Sequence, residues 1–139
     1  MFRRREAKIE LIARVPLFER CSKRELAAIA AIADQVELPE GRVLAREGDL
    51  GQEFFILTDG EVEVRRGGRR RATLGPGEFF GEIALVSNVP RTATVKTVSP
   101  VQALVLSSRD FWTLLDESPR TQRKILEAVG DRLAQLAPN

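Results

Sequence analysis

The sequence predicts a mainly β fold with flanking helices: an antiparallel, jelly-roll-like β-roll with helices at its N-terminal end, a short helix inside it and further helices at its C-terminal end. Three observations lead there. Between Val36 and Leu106, short β-branched or aromatic runs alternate with Gly, Pro and Asp at intervals typical of antiparallel strands. The flanking segments instead repeat apolar residues at helical spacing. The chain has 139 residues, 43% hydrophobic and 30% charged, which is the profile of one compact domain. At that length folding buries about two thirds of the extended chain's surface, so a core forms without disulfides or a structural metal.

A weaker helical segment covers residues 3 to 14. Ser22-Lys23-Arg24-Glu25 then opens a clearly signalled helix, because Ser22 and Glu25 can satisfy each other's orphan amides in a capping box. Leu26, Ile29, Ala30 and Ala33 fall on one face of it. Strand runs follow at 36–38, 42–46, 53–57, 61–66, 70–74, 94–98 and 101–106, part of an expected total of about eight. They are separated by turn residues such as Pro39-Glu40-Gly41, Glu47-Gly48-Asp49, Asp59-Gly60, Gly67-Gly68 and Gly75-Pro76-Gly77. Ser107 and Asp110 are spaced as a second capping box ahead of Phe111, Trp112, Leu114 and Leu115. Ser118-Pro119 reads as N-cap and first residue of the last helix. There Ile125, Val129 and Leu133 align with Leu126 and Leu136 on a broad apolar face. Phe54, Phe55, Phe79, Phe80 and Trp112 are expected in the core. The division is helices over 1–35, β-roll over 36–106 and helices over 107–137, all within a single domain spanning 1–139.

Composition excludes several chemistries. There is no His and a single Cys, Cys21. A His-based triad, a His-ligated zinc or a His general base cannot exist, and one thiol builds neither a Cys cluster nor an in-chain disulfide. No metal is expected, and no nucleophile falls beside a base, so the expectation is a non-enzyme. No GK[ST] is present, and Gly75, Gly77 and Gly81 are spaced GxGxxxG, one residue off the dinucleotide fingerprint. Lys and Arg total 22 against 20 Asp and Glu, and a net charge of +2 does not imply a nucleic-acid partner. The longest apolar run, Leu26 to Ala33, is far below the roughly 18 residues of a spanning helix. Met1-Phe2-Arg3-Arg4-Arg5 has no apolar stretch behind it, so it is no signal peptide. A cytoplasmic location without a transmembrane segment is expected.

The local charge pattern says more than the total. Thirteen residues separate Glu82 from Lys96, and Arg91 is the only charged one among them. A guanidinium in so apolar a stretch is expected to be partly buried, and a buried cation needs an anion. Upstream, Phe79-Phe80-Gly81-Glu82 leaves the Gly-Pro-Gly turn for Ile83-Ala84-Leu85-Val86, long enough for one helical turn. Free amides at its start, a glycine that lets a ligand approach the backbone, and a bidentate Arg from the following loop together describe a phosphate site.

These residues resemble a known family. Phe80-Gly81-Glu82-Ile83-Ala84-Leu85 and Pro90-Arg91-Thr92-Ala93-Thr94-Val95 are similar to the phosphate-binding cassette of cyclic nucleotide-binding domains. Such domains occur in catabolite activator proteins, regulatory subunits of cyclic-AMP-dependent kinase and cyclic-nucleotide-gated channels. Glu47-Gly48-Asp49, Glu53-Phe54-Phe55-Ile56-Leu57 and Asp59-Gly60-Glu61-Val62-Glu63-Val64 resemble the family's preceding strands, so the likeness covers roughly residues 15 to 136. It implies that Arg91 pairs with the cyclic phosphate of cAMP or cGMP, that Glu82 accepts from the ribose 2′-hydroxyl, and that amides of Gly81, Ile83, Ala84 and Ala93 complete the cradle. Thr92 bears on base choice, since a Thr after the Arg accompanies guanine binding in some members. The last helix resembles the family's lid, with Val64, Arg123, Arg132 and Leu133 as candidate base or lid contacts. The implied mechanism is regulatory: ligand binding draws in the last helix, and an unknown effector protein or domain reads the change. No cofactor besides the ligand is expected, and no DNA-binding segment follows the last helix in this sequence.

One motif stands outside that scheme. Arg65-Arg66-Gly67-Gly68-Arg69-Arg70-Arg71 places five cations in seven residues across a hairpin turn. It reads as a solvated tip, or as a contact for acidic lipid, nucleic acid or a partner. The alternative function is therefore a ligand-independent interaction module working through hairpin 65–71, with the cassette as scaffold.

Overall fold

The strand-forming runs close into two four-stranded antiparallel sheets in a computed structural model that describes residues 2–136. The first sheet has the order β1 (Asp34–Leu38), β8 (Val101–Ser107), β3 (Glu53–Asp59), β6 (Phe79–Phe80). The second has the order β2 (Val43–Ala45), β7 (Thr94–Thr97), β4 (Val62–Arg66), β5 (Arg69–Leu74). Seven strands lie on predicted runs, with ends displaced by at most two residues. The eighth, β6, is too short to carry a period. It forms because Phe80 pairs with Phe55 and Phe79 with Ile56, and the rings of Phe55 and Phe80 stack with centroids 4.7 Å apart.

Six helical elements flank the roll: α1 (Phe2–Ala13), a 3-10 turn at Pro16–Phe18, α2 (Lys23–Ile32), α3 (Glu82–Val86), α4 (Ser108–Glu117) and α5 (Pro119–Leu136). The uninterrupted apolar runs of β3 and β8 have a structural cause. Their sheet is covered on both faces, so both alternating sets of side chains are buried. Phe54, Ile56, Leu104 and Leu106 face the helices and pack with Ile12, Phe18, Ile29, Phe111 and Ile125. Phe55, Leu57, Ala103 and Val105 face the interior of the roll with Val62, Phe80 and Val95.

The helix caps largely follow the sequence. Ser22 and Glu25 form the complete capping box, and Ser118 Oγ accepts from the Thr121 amide at 3.3 Å as α5 begins. At Ser107 only half of the expected box forms: its hydroxyl accepts from the Asp110 amide at 3.2 Å, with no return bond from Asp110. Aspartate is one methylene shorter than the Glu or Gln that completes such boxes.

Two core expectations are corrected. Trp112 is 44% exposed, because Phe111, Leu114 and Leu115 occupy the inward stripe of α4 and the next position is turned about 100° away. The indole covers Phe111 edge-on, at 5.7 Å between centroids. On α5 the apolar face is narrower than predicted: Ile125 and Val129 are buried, whereas Leu126 and Leu133 are 48% and 41% exposed. The inward stripe runs through Ile125, Val129 and Arg132 at helical spacing, so a cation takes the place assigned to Leu133. The side chain of Leu136 lies outside those described.

Candidate functional site

The site forms where α3 leaves β6. Gly81 sits at the N-cap of α3 with φ at 102°, in the left-handed region that disfavours a side chain. A Cβ there would lie 2.7 Å from the Glu53 carbonyl oxygen and 2.8 Å from Arg91 Nη1. The absent side chain is what lets Arg91 lie against the start of the helix.

Arg91 is held from both ends. Its amide donates to the Asp49 carbonyl at 2.7 Å, and its carbonyl accepts from the Gly48 amide at 2.8 Å, which joins its loop to the turn after β2. Its guanidinium donates through Nη2 to the Glu53 carbonyl at 2.8 Å and through Nη1 to the Gly81 carbonyl at 3.3 Å. The residue is 8% exposed. Burial pushes the Arg91 guanidinium below its ordinary range, partly offset by the negative charges of Glu53 and Glu82. Among the described residues it has neutral carbonyl partners and no ion pair, so a buried cation is left to be matched by an anion.

The guanidinium lies beside a cavity of about 320 Å³. Arg91, Thr92 and Ala93 line one side, Gly81, Glu82, Ile83 and Ala84 the floor, and Val64, Ala72 and Leu74 the facing sheet. Glu82 is fully buried within it. One carboxylate oxygen, Oε1, is taken by Nη1 of Arg132, and the other, Oε2, is buried without a partner. Arg132 reaches in from α5: its Nη2 donates to the Phe79 carbonyl at 2.7 Å, and its guanidinium lies 5.0 Å from the Phe79 ring centroid. The last helix is thus tied to the cavity floor by an ion pair and a cation–π contact.

Of the residues singled out from sequence, all seven cassette residues line this cavity, as do Val64 and Arg132. Arg123 and Leu133 do not: both are exposed and off its wall, because the inward stripe of α5 passes through Arg132. The basic hairpin is corrected in part, since Arg66 and Arg71 line the cavity together with Gln135. Strand alternation from Val64 would have found Arg66. No sequence pattern pointed to Gly51, whose missing side chain leaves the room that Arg91 occupies.

The fold and site define a β-roll whose cavity holds a buried Arg91 without an ion pair beside the buried Glu82 carboxylate, with Arg132 of the last helix reaching in. The particular class follows from comparison. Residues 35–118 match the family described as cyclic nucleotide-binding domain, and the chain belongs to it. It is 39% identical over 110 residues to a cyclic nucleotide-gated potassium channel of Mesorhizobium japonicum, covering 79% of this chain and 30% of the channel. It is 34% identical over 147 residues to a cAMP-dependent protein kinase regulatory subunit of Mycosarcoma maydis, covering 99% of this chain and 28% of that protein. The chain therefore spans about 30% of the length of these relatives. Among solved structures, cAMP-bound PfPKA-R superposes with a TM-score of 0.82 at 26% identity, over 99% of this chain and 49% of that one. The Thermus thermophilus catabolite activator protein gives 0.76 at 29% identity, over 87% and 59%. No described helix is long and apolar enough to cross a membrane, and no described group of His, Cys, Asp and Glu could hold a metal ion.

Proposed function

We propose that this chain, acting as one domain over 1–139, is a regulatory sensor of cAMP, with cGMP as the competing ligand. The observation that carries the reading is the pairing of two unmet demands in one cavity: Arg91, a buried cation without an anion, and Glu82 Oε2, a buried acceptor without a donor. A cyclic phosphate meets the first and a ribose 2′-hydroxyl the second. The amides of Gly81, Ile83, Ala84 and Ala93 add donors to the phosphate. The base lies on the apolar wall at Val64, and Thr92 offers a hydroxyl to a guanine. Relatives that are kinase regulatory subunits or gated channels support a regulatory rather than catalytic role.

Arg132 supplies the link to a response. It holds Glu82 from α5, so a ligand that engages Glu82 alters what the helix is anchored to, shifting its position for an effector unit to read. The setting is cytoplasmic, where a cyclic nucleotide made inside the cell would reach it. Calorimetry tests the reading: wild type binds cAMP, and Arg91→Ala loses about 2–5 kcal/mol of binding, as when one partner of a buried charge pair is removed. Unchanged affinity in that variant would refute the site. A thermal shift with anionic vesicles and none with cAMP or cGMP would favour an interaction module working through hairpin 65–71.

A further inference from the structure

Arg91 lines two cavities, and only one of them holds the rest of the cassette. The second, of about 280 Å³, is lined by Arg46, Asp49, Gln52 and Glu53 together with Arg91 and apolar residues of β2. It shares Arg91 and Ala45 with the first cavity and no other residue. Glu53 opens β3, where strand alternation places it on the face of Phe55 and Leu57, the interior face of the roll. Its carbonyl accepts from Arg91 Nη2 at 2.8 Å, so the guanidinium is held at the root of the Glu53 side chain. Glu53 therefore stands next to Arg91 yet outside the wall of the ligand cavity.

The charges around Arg91 give this position a consequence. Glu82 is already bonded by Arg132, whereas among the described residues neither Glu53 nor Asp49 nor Arg46 belongs to an ion pair. Burial pushes the Arg91 guanidinium below its ordinary range, and of the two negative charges that offset this, Glu53 acts more strongly than Glu82. Glu53 is exposed, so its field is partly screened and weaker than that of a buried pair. It still lowers the cost of burying a cation while the ligand cavity is empty. The same carboxylate repels a phosphate that arrives at Arg91. Both effects favour the empty site over the occupied one. A purely structural role is also open to it, because Glu53 pairs with Ser107, the N-cap of α4, where a negative charge favours the helix start. That role would not depend on Arg91.

We propose that Glu53 is a positioning residue that tunes the anion site from outside the ligand cavity, its carboxylate serving Arg91 as a standing partial counter-charge with which the ligand's phosphate competes. The proposal rests on the cyclic-nucleotide reading for its ligand, while its effect on the empty protein does not. The test is Glu53→Gln in the full chain, which removes the charge and keeps the carbonyl bond to Arg91. The variant is expected to bind cAMP about three- to fivefold tighter at low salt, the size of one exposed charge–charge interaction. At about 0.5 M salt the gap should close to less than about 1.5-fold. Its ligand-free melt is expected to fall by about 1–2 °C, and the same substitution in an Arg91→Ala background should leave the melt unchanged. Tighter binding with a lower melt is the signature, since a residue that only supports the fold weakens both. Glu37→Gln, an exposed carboxylate on β1 outside both cavities, controls for net charge. Unchanged or weaker cAMP binding by Glu53→Gln overturns the proposal. A melt loss that persists without Arg91 overturns it in favour of the α4 cap, and equal tightening by Glu37→Gln overturns it in favour of net charge. Wild type that binds neither cAMP nor cGMP refutes the nucleotide reading instead; the melts then decide alone, a loss that vanishes with Arg91 supporting the counter-charge and any other result overturning it.

Discussion

Replacing Gly51 by Ala would set a methyl carbon 2.8 Å from both Cζ and Nε of Arg91 and 2.7 Å from Cβ of Ala84. Ordinary carbon contacts lie at about 3.5–4.0 Å, so something must move by roughly 1 Å. Ala84 sits on α3, and the guanidinium is the softer neighbour. Gly51 is not in the left-handed region, so alanine fits its backbone and the contact alone carries the effect. Moving the guanidinium by that amount takes its 2.8 Å bond to Glu53 and its 3.3 Å bond to Gly81 out of hydrogen-bond range. It also misplaces the fork that would grip a phosphate. Losing one charge-assisted bond costs about 1.5–3 kcal/mol, or roughly a 10- to 100-fold weaker Kd for cAMP. The fold should lose less, because overpacking costs about 1–3 kcal/mol while the stiffer unfolded chain returns about 0.4–1 kcal/mol. Calorimetry with cAMP and a thermal melt read the two effects separately. Gly75→Ala is the control, since its nearest neighbour would be Glu61 Cγ at 4.0 Å. A folded Gly51→Ala protein that binds cAMP as tightly as wild type would refute this account of how Arg91 is positioned.

Three further outcomes are expected. Glu82→Ala should weaken cAMP by about 1.5–3 kcal/mol, and wild type should discriminate against 2′-deoxy-cAMP by a similar margin; equal binding of the two ligands excludes the hydroxyl role. Arg132→Ala leaves Glu82, with its side chain 1% exposed, without a partner for either carboxylate oxygen, and should destabilise the ligand-free protein by about 2–3 kcal/mol, several degrees in Tm. An unchanged melt would mean that the ion pair contributes nothing net. Glu25 is held below its ordinary carboxyl pKa of 4.5, chiefly by the Ser22 amide that it accepts from. A group depressed on folding stabilises above its unfolded value and loses that contribution as pH falls through its folded value. Glu25→Gln should therefore flatten the fall in Tm on acidification below about pH 4.5, and parallel pH profiles would contradict it.

How much of this was legible beforehand depended on whether the signal was local. The Ser22–Glu25 box and the start of α5 at Ser118-Pro119 are decided within four residues, and both formed. The isolation of Arg91 between Glu82 and Lys96 predicted a buried cation, and it is 8% exposed. The rotation of α5 was illegible. Leu133 and Arg132 differ by one position, and only packing of Ile125 and Val129 against the core turns Arg132 toward Glu82. Trp112 was misplaced for the same reason, since hydrophobicity alone does not choose between neighbours on a helix. β6 exists only because Phe55 and Ile56 lie alongside.

The sequence by itself determined the β-roll with its helical ends and singled out Arg91 as the buried charge. Strand alternation, turn residues and one unaccompanied charge are properties of neighbouring residues. Only the tertiary structure decided what surrounds that charge. The room left by Gly51 and the reach of Arg132 from α5 both join segments far apart in the chain. Their geometry is set by close packing, in which a shift of one residue on a helix or strand changes the face a side chain presents.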